Sequence, residues 1–132
     1  MIASSFLHFL ALRFDVSTIV EIRVVRAATE DSLAATPPLV LADQQTLVSG
    51  FQLLTTMTRY QRYKEHLLDG YRFDIRLQGE SAYGNHSIMF YRATTARREP
   101  MAVVVIPGFG EWNCPAFGRW IQTHIEPDLP AP

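Results

Sequence analysis

The run Met101-Ala102-Val103-Val104-Val105-Ile106 constrains the fold more than any other part of the chain. It is apolar at every position, so it lacks the alternation of a strand that has one face in water. A run this short, rich in β-branched residues, predicts the central and most buried strand of a sheet. Pro107-Gly108 is expected to end it, and the chain must supply strands on either side.

Two more strand candidates precede this run, at Tyr71 to Gln78 and at His86 to Thr94. In the first of them Tyr71, Phe73, Ile75 and Leu77 fall on one face. The connections contain turn-compatible residues, at Tyr83-Gly84-Asn85 and again at Arg97 to Pro100. The order of these segments predicts a three-stranded antiparallel meander.

Helices and one further strand are predicted upstream of the meander. Ser17 to Val25 is rich in β-branched residues, which predicts the first strand. Thr29, followed by two acids, opens a short helix that Pro37-Pro38 ends. A second helix is predicted from Leu39 to Thr56, with apolar residues spaced near 3.6. Gly50 should weaken that helix by roughly 1 kcal/mol relative to alanine.

Sequence patterns near both ends of the chain predict short helices. Ser4 and Ser5 precede an apolar pattern that reaches Phe14, which is typical of an N-capped helix. Pro115 opens a last helix over Ala116 to Ile125. Asp69-Gly70 is predicted to be a turn, and the polar, aromatic stretch before it, from Arg59, is left open.

With 132 residues, the chain has the length of one domain. We expect an N-terminal helical extension at 1–18, a single α+β domain at 19–125 and a proline-rich, non-helical tail at 126–132. The predicted fold is a helical hairpin packed on a small antiparallel sheet, with an extra N-terminal helix and a short C-terminal helix.

The cysteine and histidine content indicates the cellular compartment and the kinds of site that the chain can form. The single cysteine, Cys114, cannot form an internal disulfide, which favours a cytoplasmic protein. The four histidines are dispersed and predict no metal site, and no motif indicates a cofactor. The apolar run from Phe6 to Leu12 is too short and has the wrong flanks for a membrane helix or a signal peptide.

The charges are unevenly distributed along the chain. From Arg59 to Arg98 there are eight basic and four acidic residues, so this segment is +4 and the remainder is −5 within a net charge of −1. Its aromatic and basic stretch from Arg59 to Lys64 has the residue types that stack on bases and hold phosphates, or that pack rings under a basic surface.

Several segments together resemble the RelE/ParE toxin superfamily of toxin–antitoxin modules, over about Ile19 to Ile125. The first strand resembles that of the family, and Pro37-Pro38 falls where its two helices meet. The segments that resemble its meander are Leu67-Leu68-Asp69-Gly70-Tyr71-Arg72-Phe73-Asp74-Ile75-Arg76, Ile88-Met89-Phe90-Tyr91-Arg92 and Val103 to Phe109.

This resemblance implies a toxin neutralised by a cognate antitoxin, acting on mRNA at the ribosome as a metal-independent endoribonuclease. Attack by a ribose 2′-hydroxyl builds negative charge that fixed guanidinium groups stabilise. Strand spacing puts Arg72 and Arg76 on one face, with Arg92 on the next strand, where the three could converge. Tyr91 or His86 is the candidate for proton transfer. The candidate RNA-binding residues are Arg59, Arg62, Lys64, Arg97 and Arg98.

The chain also departs from the family. Lys64 is its only lysine, whereas ribonuclease members of the family are markedly basic. Two alternatives therefore stay open: a ParE-like inhibitor of DNA gyrase, and a non-enzymatic structural or interaction protein, such as a virion component or the subunit of a homo-oligomer. The latter would place its large aromatic residues in subunit interfaces.

Overall fold

In the part of the chain that the structure describes, seven antiparallel strands form one sheet, with two helices packed on one of its faces. The computed structural model describes residues 14–26, 37–59, 66–83, 86–94 and 100–129, with the side chains of 66–69, 94 and 100 left aside. The strands are β1 (Ile19–Arg26), β2 (Leu39–Leu41), β3 (Thr58–Arg59), β4 (His66–Leu77), β5 (His86–Thr94), β6 (Pro100–Ile106) and β7 (Gly110–Asn113). The helices are α1 (Gln44–Gln52) and α2 (Pro115–His124), and 3-10 turns occupy Val16–Thr18, Leu53–Thr56 and Glu126–Asp128.

The strand order is β2-β1-β4-β5-β6-β7-β3, and every neighbouring pair is antiparallel. The meander of β4, β5 and β6 is therefore confirmed. The run before Ile106 is an interior strand, and Ala102, Val103 and Val104 are buried in succession, so both of its faces are covered. The middle position, however, belongs to β5.

The predicted helical hairpin on a small sheet is wrong, because the sheet dominates the molecule and α1 and α2 are only nine and ten residues long. Leu39–Leu41, predicted to open a long helix, is instead β2, which pairs with Ile22–Val24 of β1. The helix starts only after Asp43, whose carboxylate accepts a hydrogen bond from the Thr46 hydroxyl at 2.9 Å.

The predicted turn at Asp69-Gly70 is also wrong, because both residues lie inside the twelve-residue β4. Gly70 pairs with Tyr91 on β5, and a Cβ atom at Gly70 would come within 2.4 Å of the Tyr91 ring. The glycine therefore serves a close side-chain approach and not a chain reversal.

The C-terminal helix is confirmed to within one residue at each end, and Pro115 occupies its first turn as expected. The predicted non-helical tail is partly wrong, since Glu126–Asp128 forms a 3-10 turn. The predicted helices at 4–13 and 29–36 lie outside the described residues.

The core lies between the helices and the face of the sheet that they cover, called here the inner face. An aromatic cluster occupies its centre, with Phe117 packed against Phe51 at 5.6 Å, Phe73 at 5.7 Å and Trp120 at 5.4 Å between ring centroids. The opposite, outer face has two halves. Over β1 and β4 it is charged, whereas over β5 and β6 it is apolar, with Ala93 and Val103 buried among Tyr91, Met101 and Val105.

Candidate functional site

The three arginines predicted to form a ribonuclease site lie on two different faces of the sheet. Arg72 and Arg76 point to the outer face, as the strand spacing predicted, because they alternate with the buried Phe73 and Ile75. Arg92 alternates with residues of the outer face and shares the inner face with Phe90. The structure therefore does not bring the three guanidinium groups together.

On the outer face the two arginines belong to an ion-pair network that joins β1 to β4. Asp74 is 8% exposed and accepts hydrogen bonds from Arg23 at 3.0 Å and from Arg72 at 3.0 Å. Arg76 reaches Glu21 at 3.4 Å. Each of these two carboxylates thus lies against an arginine of the neighbouring strand.

Tyr83 completes this network from the chain segment after β4. Its hydroxyl donates a hydrogen bond to Glu21, and the guanidinium of Arg23 lies 4.6 Å from the centre of its ring. The hydrogen bond from Tyr83 lowers the pKa of Glu21 below its ordinary value of 4.5. Burial and the same hydrogen bond raise the pKa of Tyr83 to about 12. At neutral pH, Glu21 is therefore ionised and Tyr83 is protonated.

Arg92 is engaged on the inner face by Glu126 of the last 3-10 turn. The two side chains form a double hydrogen bond, one contact being 2.9 Å, and Tyr71 also donates to the same carboxylate at 3.1 Å. The pair fastens the C-terminal turn to β4 and β5. This anchoring explains why the proline-containing segment after α2 is ordered as a turn.

The two candidates for proton transfer are also on opposite faces. Tyr91 lies in the apolar half of the outer face, beside Val103, and its ring covers Gly70. His86 lies at the start of β5, where its ring contacts that of Phe14 at 5.1 Å and its Nε2 is 3.8 Å from Glu80. Neither one lies beside both Arg72 and Arg92.

Of the five predicted RNA-binding residues, Arg59 is the one in the described part of the chain. It is exposed at the end of the sheet, in β3, paired with Trp112 of β7. The predictions for Arg62, Lys64, Arg97 and Arg98 concern residues outside the described ranges.

Next to Arg59 the hairpin between β6 and β7 presents an aromatic side chain to solvent. The Phe109 amide donates to Ile106 O at 2.9 Å, and Gly108 has φ of 80°, which is the type II turn that Pro-Gly favours. Phe109 is 40% exposed. The turn fixes the backbone on both sides of this ring.

The Phe109 ring is stacked on Trp112, with 5.2 Å between the ring centroids and 14° between the planes. Arg59, Gly110 and Glu111 complete the lining of a depression of about 320 Å³ at this edge of the sheet. We call Phe109, Trp112 and Arg59 the aromatic platform. It combines an exposed π face with a cation, and a carboxylate lies beside it.

Sequence reasoning missed the platform because it missed β7. The available signal was Pro107-Gly108, followed by the alternation of polar and apolar residues from Glu111 to Cys114. Reading this as a hairpin would have placed Trp112 beside the preceding strand. The pairing of β3 with β7 had no local signal, because the partners are 53 or more residues apart.

In the described residues, no three His, Cys, Asp or Glu side chains are grouped as metal ligands would be. Within the same residues, no helix has both the length and the apolar character needed to cross a membrane.

Comparison with protein-family models, with curated proteins and with solved structures found no significant match to this chain.

Proposed function

We propose that the protein binds single-stranded RNA at the aromatic platform. The observation that carries this proposal is the exposed ring of Phe109, held parallel to Trp112 at 5.2 Å beside the exposed cation of Arg59. Proteins that bind single strands combine stacked aromatic side chains with cations that hold the phosphates. The platform has both elements at one edge of the sheet.

Stacking supplies the larger part of the expected affinity. An unpaired base that stacks on Phe109 extends an existing pair of rings, and base stacking on an aromatic side chain contributes about 1–3 kcal/mol per base. The support from Trp112 keeps the ring in place, so little side-chain entropy is lost on binding. A base-paired strand does not offer this face, which favours single-stranded ligands.

Electrostatic contacts supply the rest of the expected affinity, and a nearby negative charge limits it. Arg59 has no ion pair with any described residue, so its guanidinium is available to a phosphate. The Glu111 carboxylate borders the same depression and opposes phosphates that come near it. The sequence continues from Arg59 with Tyr60, Arg62, Tyr63 and Lys64, a composition that supports the same ligand class.

This proposal retains RNA as the ligand but not the three-arginine ribonuclease site, because Arg92 lies across the sheet from Arg72 and Arg76. Toxin activity, a cognate antitoxin and ribosome association stay predictions of the family resemblance.

The test is fluorescence anisotropy with labelled single-stranded RNA of ten nucleotides, at two salt concentrations. We expect Phe109→Ala to weaken binding about tenfold or more, in line with the loss of one stacked base. Arg59→Gln should reduce the slope of log K against log salt by about 0.7, the value for one phosphate contact on a single strand. Duplex RNA should bind more weakly than the single strand.

Val40→Ala is the matched control. Val40 is 51% exposed and lies in β2, at the opposite edge of the sheet. Its substitution should leave RNA affinity unchanged. Equal affinities for all three variants, or no binding by the unmodified chain, would contradict the proposal. If Phe109→Ala instead changes the oligomeric state seen by size-exclusion chromatography with light scattering, the platform is a contact between protein chains.

A further inference from the structure

A second depression lies at the other end of β6 from the platform, between α2, the end of β5 and the start of β6. Its volume is about 310 Å³, at the small end of ligand pockets, which range over about 300–1,000 Å³. Its floor and walls are apolar, and its rim is polar. The apolar lining residues are Phe90, Ala93, Met101, Ala102, Pro115 and Gly118.

The position of α2 over the sheet creates this pocket. Gly118 sits so close to β6 that a Cβ atom on it would be 2.9 Å from the Cβ of Ala102. At the start of the helix, Cys114 N donates to Ala102 O at 2.8 Å, which fixes the helix to the same residue of β6. The pocket opens beside this contact, and Pro115, Arg119 and Gln122 border it from successive helical turns.

The polar rim favours a ligand with a negative charge. Arg92 already holds Glu126 and gives the rim little net charge. Arg119 is exposed, and its guanidinium has no hydrogen bond or ion pair with the described residues. Gln122, one turn further along α2, adds an exposed amide that can donate a second hydrogen bond.

We propose that this pocket binds a small amphipathic carboxylate, with its hydrocarbon part against Ala102, Pro115 and Gly118 and its carboxylate on Arg119 and Gln122. An apolar pocket with a few convergent polar groups is the usual form of a small-molecule site. The carboxylate pairs with a guanidinium by charge-assisted hydrogen bonds, whereas the chain of the ligand covers apolar surface. A fully hydrated anion without an apolar part would leave the floor of the pocket uncovered.

Octanoate is the probe, and its binding to the full chain is measured by isothermal titration calorimetry. We expect saturable binding of one octanoate per chain, at least tenfold weaker binding of 1-octanol, and no competition by inorganic phosphate. Arg119→Gln should weaken octanoate about tenfold by removing the charge-assisted contact.

Gln122→Trp tests the location independently, because an indole at this exposed rim position would cover the opening without disturbing the core. It should weaken octanoate about tenfold or more through steric exclusion. Thr123→Trp places the same indole at the next helix position, outside the pocket lining, and should leave affinity unchanged. Arg59→Gln controls for the loss of one positive charge.

The proposal is overturned if octanoate shows no saturable binding, or if neither Arg119→Gln nor Gln122→Trp weakens it. Competition by inorganic phosphate at equal strength would also overturn it, since the site would then recognise an anion alone. Because the platform is at the β3–β7 edge, failure of this test leaves the RNA proposal standing, and failure of the RNA test leaves this one standing.

Discussion

Gly50 of α1 lies directly against the indole ring of Trp120 in α2. A Cβ atom at Gly50 would be 2.1 Å from Trp120 Cε2 and 2.4 Å from Cζ2. The ring has little room to retreat, because it is 6% exposed and packs on Phe51 at 6.1 Å and on Phe117 at 5.4 Å. The two helices can cover the sheet together only because this position lacks a side chain.

Gly50→Ala should therefore destabilise the protein. Alanine would favour the helix by about 1 kcal/mol, but forcing extra atoms into a packed core usually costs about 1–3 kcal/mol, and the contact here is with a rigid ring. We expect a net loss of roughly 1 kcal/mol in the free energy of unfolding, measured by urea denaturation. Ser49→Ala, at the exposed neighbouring position, should change it by less than about 0.5 kcal/mol. A Gly50→Ala variant more stable than the parent would refute this account.

Tyr83 should make the free energy of unfolding decrease at alkaline pH. Its pKa is raised from 10.0 to about 12 in the folded chain, so folding favours its protonated form. That contribution is fully present below pH 10 and is lost as the pH rises from 10 towards 12. Tyr83→Phe should remove this part of the decline, which urea unfolding at a series of pH values would detect. Tyr91→Phe is the control on the same face, and a decline identical in all three proteins would exclude Tyr83 as its source.

Glu126→Gln should release the C-terminal turn from the sheet. The variant removes the charged acceptor that Glu126 offers to Arg92 and weakens the acceptor for Tyr71, so we expect a loss of roughly 1–2 kcal/mol in unfolding free energy. Hydrogen exchange of the Asp128 and Leu129 amides, which donate to Ile125 O and Glu126 O in this turn, should accelerate. Asp128→Asn, an exposed acid in the same turn, is the matched control and should have little effect. Equal behaviour of the two variants would show that the pair does not hold the turn.

Gly108→Ala should distort the turn that presents Phe109. Gly108 has φ of 80°, where a residue with a Cβ atom is disfavoured by about 1–2 kcal/mol. Gly108→Asn should cost less, because asparagine tolerates the left-handed region. The measurements are unfolding free energy and RNA affinity for both variants. An alanine variant as stable as the asparagine variant would argue against backbone strain at this turn.

The sequence predicted best those elements whose signals are local and long. The apolar run to Ile106 and the proline at the start of α2 each specify one structure from neighbouring residues alone. The segment Leu39–Leu41 was misassigned because three residues cannot show a period, and only pairing with β1 decides that they are a strand. Gly70 was misassigned because the position needs a glycine to make room for the ring of Tyr91, which comes twenty-one residues later in the chain.

The candidate sites depended even more on long-range packing. Arg59 was recognised from composition, but its partner ring at Phe109 follows from the pairing of β3 with β7. Arg92 and Arg72 lie on opposite faces because of the register between β4 and β5. Arg72 pairs with Met89 and shares its face. Arg92 is three residues after Met89 on the same strand, so its side chain points to the other face. Register between strands is fixed by the whole sheet and is not readable from either strand.

The shortness of the two outermost strands has a consequence for aggregation. A sheet grows by adding a chain to an edge that offers a long row of unpaired amide and carbonyl groups. Here the edges are β2, with three residues preceded by Pro37-Pro38, and β3, with two residues. Prolines cannot donate to an incoming strand, and such short edges offer few groups to recruit one. In the described part of the chain, the shortness of β2 and β3 therefore limits edge-to-edge growth of the sheet at these two strands.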